Sequence, residues 1–213
     1  MVNLIPKIVY EDESLLVINK PAGLVVNRSQ TATQTLQDWV EVKIHDQSGL
    51  ERSGVVHRLD KETSGLMVIA KTQAAFENLT RQFKNRKVKK KYIAQVYGKL
   101  EPKQGVIAVP IGRSRQNREK FTVAITGRPA ETEYRVKRYY PRYTEVELVP
   151  KTGRTHQIRV HLAYMGHPVV GDARYAGEKQ RKVDRQRQER HQLEAVELGL
   201  YHPVSGKWME FSI

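Results

Sequence analysis

The 213-residue chain contains no cysteine. Thiol nucleophiles, cysteine-ligated zinc and iron–sulfur clusters are thereby excluded, and the composition suits a reducing compartment. Zinc-dependent base deaminases, which need cysteine ligands, are excluded with them. No apolar run approaches the ~20 residues of a membrane-spanning helix. Acidic residues appear early in MVNLIPKIVYEDES, where a secretory signal would be apolar. The expectation is a cytoplasmic protein with no membrane contact. Three common site motifs are also missing: Gly-x-x-x-x-Gly-Lys-Ser/Thr, Gly-x-Gly-x-x-Gly and His-Glu-x-x-His. No nucleotide, dinucleotide or metalloprotease centre is indicated, and no cofactor or metal is expected. His156, His161 and His167 invite a metal reading. However, His156 and His161 stand five apart, about 140° around a helix axis, and do not share a face.

Acid is scarce relative to base: 23 Asp and Glu against 37 Lys and Arg, a formal charge of +14. A surplus of this size bears on partners rather than fold and favours a polyanion, with nucleic acid first. The charge is clustered. Arg81, Lys84, Arg86, Lys87, Lys89, Lys90 and Lys91 follow one another with no acid between; Arg113, Arg115, Arg118 and Lys120 form a second group; Lys179 to Arg190 is a third. Clusters make better phosphate surface than the same charge spread evenly. Lys87, Lys89 and Lys90 are accordingly the expected backbone-binding lysines. With 213 residues, a sizeable core needs no staple. No repeat, low-complexity linker or domain boundary is visible, so residues 1–213 are read as one domain.

The element pattern is strand-rich. Ile8–Tyr10 and Leu15–Asn19 read as a hairpin around Glu11–Ser14. Thr33 or Thr35 caps a helix to about Ile44, and Asp46–Ser53 is a loop. Thr72 caps a helix to about Phe83, with Phe76, Leu79 and Phe83 on one face. Lys91–Gly98 alternates as a strand with Tyr92, Ala94 and Val96 toward the core. Short strands are expected at Val106–Val109 and Phe121–Ile125, joined by the basic loop, and a second hairpin spans Glu131–Tyr139 and Tyr143–Val149. Thr155–Met165 reads as a helix closed by Gly166. Glu178–Gln192 is either a solvated helix or an excursion. A last strand pair lies at Val196–Tyr201 and Trp208–Phe211. Hairpins with a few interspersed helices predict an α+β fold with a largely antiparallel sheet.

Two stretches carry chemistry. In VVHRLDKETSGLMVIAK (Val55–Lys71), a polar loop lies between two apolar runs, the second a buried strand. A carboxylate on a loop between two core strands, Asp60, can be held against a ligand; the plainer reading is that it only braces its own turn. In KTGRTHQIRVHLAYMGHPVVG (Lys151–Gly171), Arg154 stands on a glycine turn that opens a helix burying Ile158, Leu162 and Met165. Its plainer reading is a surface ion pair.

HRLDKETSGLMVIAKT at 57–72 resembles the signature of the RluA family of RNA pseudouridine synthases. NKPAG at 19–23, KKYIAQVYG at 90–98 and TGRTHQIRVHLAYMGHPVVGD at 152–172 resemble that family's other motifs, in the family's order. The resemblance implies a mixed, mainly antiparallel sheet with peripheral helices and a central catalytic cleft, and an isomerase converting uridine to pseudouridine in ribosomal or transfer RNA. It matches Asp60 to the catalytic aspartate, Tyr92 to the tyrosine against the target base, and Arg154 to the arginine paired with the carboxylate. Arg58 matches the arginine that fills the gap left by the flipped nucleotide, with His57 beside it on the substrate side, and Ile158 matches an apolar wall of the base pocket. Two departures stand out. The chain begins almost at the catalytic core, without the S4-type module many relatives carry, and Glu194 stands where relatives often have His. A monomer without an obligate protein partner is expected.

These residue types suit the reaction. Uridine isomerisation breaks the C1′–N1 bond and makes a C1′–C5 bond, so neither redox cofactor nor ATP is required. One carboxylate in a dry pocket serves it, whereas a glycosidase uses two and admits water. Flipping the base out of a helix costs a few kcal/mol. Two other classes remain open from the residues alone: an RNA-binding module without activity, and a ribonuclease using His57 or His156 with a lysine.

Overall fold

The computed structural model describes residues 4–29, 32, 34–44, 49–187 and 189–213. Among them are eleven strands, four α-helices and one short 3-10 helix. They form two compact units: residues up to Lys90 together with Ala195–Ile213, and the intervening Lys91–Glu194. The boundaries fall inside strands rather than in linkers.

In the first unit, β1 (Lys7–Glu11) and β2 (Leu15–Lys20) pair as the expected hairpin. Asp12 shapes its turn by accepting the backbone N–H groups of Ser14 and Leu15 at 2.8 and 2.9 Å. β2 runs antiparallel to β3 (Ser64–Ala70), with Leu15 opposite Ala70 and Lys20 opposite Gly65. Both strands are almost wholly buried, as continuous apolar runs should be. β10 (Leu193–Tyr201) lies beside β3 and pairs antiparallel with β11 (Trp208–Ser212). Gly65 is obligatory: its φ is +116°, and a Cβ would sit 2.3 Å from the Ala195 carbonyl oxygen. Helix α1 (Leu36–Lys43) starts at a capping box of Thr35 and Asp38; Thr33, the other candidate cap, lies outside the described residues. Helix α2 (Gln73–Lys84), capped by Thr72, sets Ala75, Phe76 and Leu79 against Leu66, Val68, Leu198 and Leu200.

Two expectations change here. Val55 makes a single antiparallel bridge to Ile69 rather than a strand, so the Asp60 loop has a strand on one side only. Residues 45–48 of the expected Asp46–Ser53 loop lie outside the described residues. Its far end is the 3-10 turn Glu51–Gly54, with Arg52 and Ser53 in the left-handed region.

In the second unit, the sheet order is β4 (Lys89–Tyr97, from Lys91 onward), β9 (Tyr143–Pro150), β8 (Thr132–Tyr139), β5 (Gln104–Ile107). Each neighbouring pair is antiparallel. Ala94 and Val96 join Val146, Leu148, Ile158 and Leu162 in its core. The expected strand pair around the basic loop is corrected. The first strand, β5, ends at Ile107 and pairs with β8, and the basic loop instead joins β6 (Ile111–Arg113) to β7 (Phe121–Val123). Helix α3 (Gln157–Tyr164) follows the glycine turn, and Gly166 closes it at φ +82°. Helix α4 (Glu178–Arg187) settles the charged segment as helix over those residues. The fold is α+β with a mainly antiparallel sheet, as expected.

Candidate active site

Asp60 occupies a tight turn of the first unit. Its own carbonyl accepts the Thr63 N–H at 3.1 Å, and its side chain is half-buried. Leu59, the apolar member of the motif, is buried and anchors the loop. The next carbonyl, Lys61 O, is gripped twice: by the Gly23 N–H at 2.8 Å and by Lys20 Nζ at 3.1 Å. Lys20 is fully buried, and its ammonium also donates to Pro21 O at 2.8 Å and Leu24 O at 3.0 Å. Burial pushes its pKa down to about 8, against the opposing attraction of Glu62 and Asp60. A buried lysine saturated by three carbonyls thus ties the Asn19–Gly23 segment to the turn carrying Asp60. Sequence reading placed Lys20 in the NKPAG motif but gave it no role; its buried, carbonyl-bound ammonium appears only in the fold.

His57 is held by contacts within the first unit. Its Nε2 accepts the Val68 N–H at 3.0 Å, and the ring stacks on Phe83 at 4.5 Å. Burial, with the charge of Lys90, pushes its pKa down to about 3. It is a neutral imidazole locked to β3, with its acceptor nitrogen occupied, which removes it as the general base of a ribonuclease. Arg58, beside it, is exposed.

The three basic-run lysines differ. Lys87 is exposed. Lys89 Nζ lies 2.8 Å from Glu197 and 3.4 Å from Glu210, so the strands at its side supply the acids its own stretch lacks. Lys90 is half-buried, and burial lowers its pKa.

In the second unit, Tyr92 stands on β4 opposite Leu148, half-buried beside the apolar cluster. Ile158, on α3, is buried in that cluster. The Arg154 turn is held by Gln157, whose carboxamide is fully used. Oε1 accepts the Arg154 N–H at 3.0 Å and the Thr152 hydroxyl at 2.6 Å, while Nε2 donates to Glu131 O at 2.9 Å and Thr132 Oγ1 at 3.0 Å. The Arg154 guanidinium donates through Nε to Pro129 O at 3.0 Å. That fixes the plane of the fork and leaves its outer edge as the side that can meet an anion.

His156, His161 and His167, three of this unit's four histidines, are each hydrogen-bonded. His161 is fully buried, bonded at Nδ1 to Thr132 Oγ1 (2.9 Å) and at Nε2 to Val109 O (3.2 Å), and burial lowers its pKa. His167 Nδ1 meets Tyr97 O at 2.8 Å, and His156 Nδ1 meets the Tyr175 hydroxyl at 2.7 Å. Among the described residues, no cluster of His, Asp and Glu could hold a metal, and no helix is long and apolar enough to cross a membrane.

A further buried feature went unread. Arg159 makes a bidentate pair with Asp172 at 2.8 and 2.9 Å, both side chains buried, and its guanidinium lies 5.0 Å from the Tyr175 ring centroid. The two charges stand 13 positions apart within the 152–172 motif, but nothing in that stretch pairs them, so their pairing becomes visible only in the fold.

Comparison with known proteins identifies the family of the chain. Residues 14–164 match the RNA pseudouridylate synthase family. An uncharacterized RNA pseudouridine synthase of Aquifex aeolicus is 46% identical over 221 residues, covering 99% of this chain and 70% of that protein. The ribosomal large subunit pseudouridine synthase D of Nitrosomonas europaea is 43% identical over 205 residues, covering 94% of this chain and 59% of that protein. Among solved structures, human RNA pseudouridylate synthase domain containing 1 matches with a TM-score of 0.81 and 29% identity, over 99% of this chain and 83% of that one. The chain therefore belongs to the RluA-type RNA pseudouridine synthases, isomerases that act on uridine in RNA.

Proposed function

We propose that the two units act as one catalytic domain on a uridine flipped from structured RNA, with Asp60 as the catalytic carboxylate. In this reading the C1′–N1 bond breaks, C1′–C5 forms, N1 gains a proton and C5 loses one, so RNA length and mass do not change. Asp60 supplies the carboxylate to the sugar. Tyr92 offers a flat face to the base, and Ile158 an apolar wall. Arg154 keeps the carboxylate ionised and oriented, Arg58 fills the space the base vacates, and Lys87 and the other exposed basic residues of its run meet phosphates. The observation that carries the assignment of Asp60 is its turn, pinned from beneath by Lys20 and Gly23 at Lys61 O. A loop of seven residues between Val56 and Ser64 needs no buried ammonium for its stability, because burying one is costly; holding a carboxylate in place is a sufficient reason.

The target favoured is ribosomal RNA of the large subunit, because several relatives bear that activity in their names. Transfer RNA is the second reading. The cytoplasm and a monomeric enzyme complete the proposal. One experiment tests it: pseudouridine is mapped across cellular RNA in cells with the chain, without it, and with Asp60→Asn in its place. Asn keeps the shape and the turn bonds but cannot act as an anionic nucleophile or a strong base. Expected are one or more large-subunit sites lost on deletion and not restored by the variant, while purified Asp60→Asn protein melts and binds RNA normally. Restoration of every site by the variant would overturn the role of Asp60, and loss confined to transfer RNA would overturn the target.

A further inference from the structure

The segment Asp172–Tyr175 touches two parts of the second unit that the reaction needs for different reasons. One is the basic hairpin. The Phe121 N–H, at the start of β7, donates to the Tyr175 hydroxyl at 3.0 Å. Arg174 donates to the Glu119 carbonyl, and its guanidinium lies 3.8 Å from the Glu119 carboxylate. The other is the Arg154 turn. His156 is the residue before α3 and is held in the left-handed region at φ +55°, an uncommon conformation for a residue with a Cβ. Its ring is set by the Tyr175 hydroxyl at 2.7 Å and packs edge-on to both Phe121 and Tyr175.

Tyr175 is itself fixed from behind. Asp172 Oδ1 accepts the N–H groups of Arg174 and Tyr175, each at 3.0 Å, and the carboxylate is clamped by Arg159 from α3. Burial raises the tyrosine pKa, so the hydroxyl keeps its proton. It accepts from Phe121 N–H and shares a second hydrogen bond with His156 Nδ1. One oxygen therefore joins the base of the basic hairpin to the residue two positions after Arg154. A phenylalanine would pack as well, so packing does not call for the hydroxyl.

We propose that Tyr175 is a positioning residue for the isomerisation, its hydroxyl holding the Arg154 turn in register with the basic hairpin through His156. The hairpin, with Arg113, Arg115, Arg118 and Lys120, is of a charge to meet phosphates. RNA seated there is then aligned with the guanidinium through a single shared oxygen. This rests on the reading that Arg154 serves the reacting uridine.

The test is single-turnover pseudouridine formation at saturating RNA, with RNA affinity and thermal melting measured alongside. Tyr175→Phe removes only the hydroxyl. His156→Asn keeps a residue that tolerates the left-handed region but loses the ring nitrogen bonded to Tyr175. Each should slow the chemical step about tenfold, below the ~100-fold typical of a 1 Å misplacement, and leave RNA affinity within about twofold. Because both remove the same bond, the double variant should be no slower than the slower single. Arg154→Lys is assayed in parallel, since lysine lacks the planar fork. Near-normal turnover by Arg154→Lys overturns the Arg154 reading. A slow Arg154→Lys with Tyr175→Phe at the wild-type rate overturns this inference alone. So does a double variant whose losses multiply, or an effect confined to RNA affinity. If Tyr175→Phe does not fold, the rate of His156→Asn decides on its own.

Discussion

Lys20 holds the turn that carries the proposed catalytic carboxylate. Its three carbonyl partners include Lys61 O, one peptide from Asp60. Lys20→Met removes a buried charge, which favours the fold, and three hydrogen bonds, whose loss opposes it. Turnover rather than melting should report the change, falling at least about tenfold as the Asp60 turn loosens. The pH dependence gives an independent check. The amine titrates at about 8 when folded against 10.5 when exposed. Between those values the unfolded chain holds the extra proton, so rising pH stabilises the fold. Melting temperatures of the wild type should climb relative to Lys20→Met from pH 8 toward pH 10; a constant difference would mean the amine does not titrate there. His57 works in the acid range. It stays neutral down to about pH 3, while an unfolded histidine protonates near 6.5, so stability present above 6.5 is lost as pH falls between them. His57→Gln should flatten the fall in melting temperature between about pH 6.5 and pH 4. An identical fall would contradict the buried neutral ring. Asp60 and Arg154 could be singled out from the sequence because each sits on a recognisable turn inside a long motif. Tyr175 could not, and Lys20 stood out only as a member of NKPAG, because carbonyls and backbone amides among their partners carry no sequence signature.

At the scale of elements, local patterns were legible and partnerships were not. Alternation along Tyr92–Val96, the capping threonines Thr35 and Thr72, and Gly166 after α3 each act within a few residues, and each stands where its chemistry placed it. The pairing of β5 with β8, and of β6 with β7, depends on long-range packing that no local pattern encodes. The same limit applies to the basic run. Seven cations without an acid read as one phosphate surface, yet Lys89 meets Glu197 of β10 and Glu210 of β11. Arg81, Lys84, Arg86 and Lys87, at the end of α2 and just beyond it, are exposed. Replacing Arg81, Lys84 and Lys87 by Ala should therefore lower the slope of log affinity for RNA against log salt by about 0.7 to 0.9 for each phosphate left without its cation. Lys89→Ala should leave that slope almost unchanged and lower the melting temperature slightly, as expected of a partly exposed ion pair. An equal slope change from Lys89→Ala would return it to the RNA surface.

The chain as a whole is ordered so that its first unit is completed last. Residues up to Lys90 supply β1, β2, β3, α1 and α2, and Ala195–Ile213 arrive only after the entire second unit has been made. That late segment is not an appendage. Leu198 and Leu200 are buried among Leu15, Val17, Leu66, Val68 and Leu79, and Ala195 passes so close to Gly65 that a Cβ there would collide with its backbone. Polar bonds tie the same segment down. His202 accepts the Ser205 N–H at Nδ1 (3.0 Å), so Nε2 carries the proton and donates to Asp12 at 2.9 Å. Burial opposes ionisation of Asp12, yet the amides of Ser14 and Leu15, with Tyr10 and His202, hold its carboxyl well below the usual range. Gln82 spans the backbone of Tyr201, donating to its carbonyl at 2.6 Å and accepting its N–H at 2.9 Å. Losing two buried leucines costs roughly 3–6 kcal/mol at 1.5–3 each, a large share of the 5–15 kcal/mol that holds a typical domain together. Exposing the edge of β3 adds a row of unpaired amides and carbonyls open to aggregation. A chain ending at Glu194 should thus be insoluble or lack a cooperative melt, although every proposed catalytic residue is still present. His202→Ala, which loses only the clamp, should stay soluble and active with a melting temperature a few degrees lower. Expression of both, followed by thermal melting and pseudouridine assay, checks the argument, and a soluble, cooperatively melting chain ending at Glu194 would show that the first unit closes without its last segment.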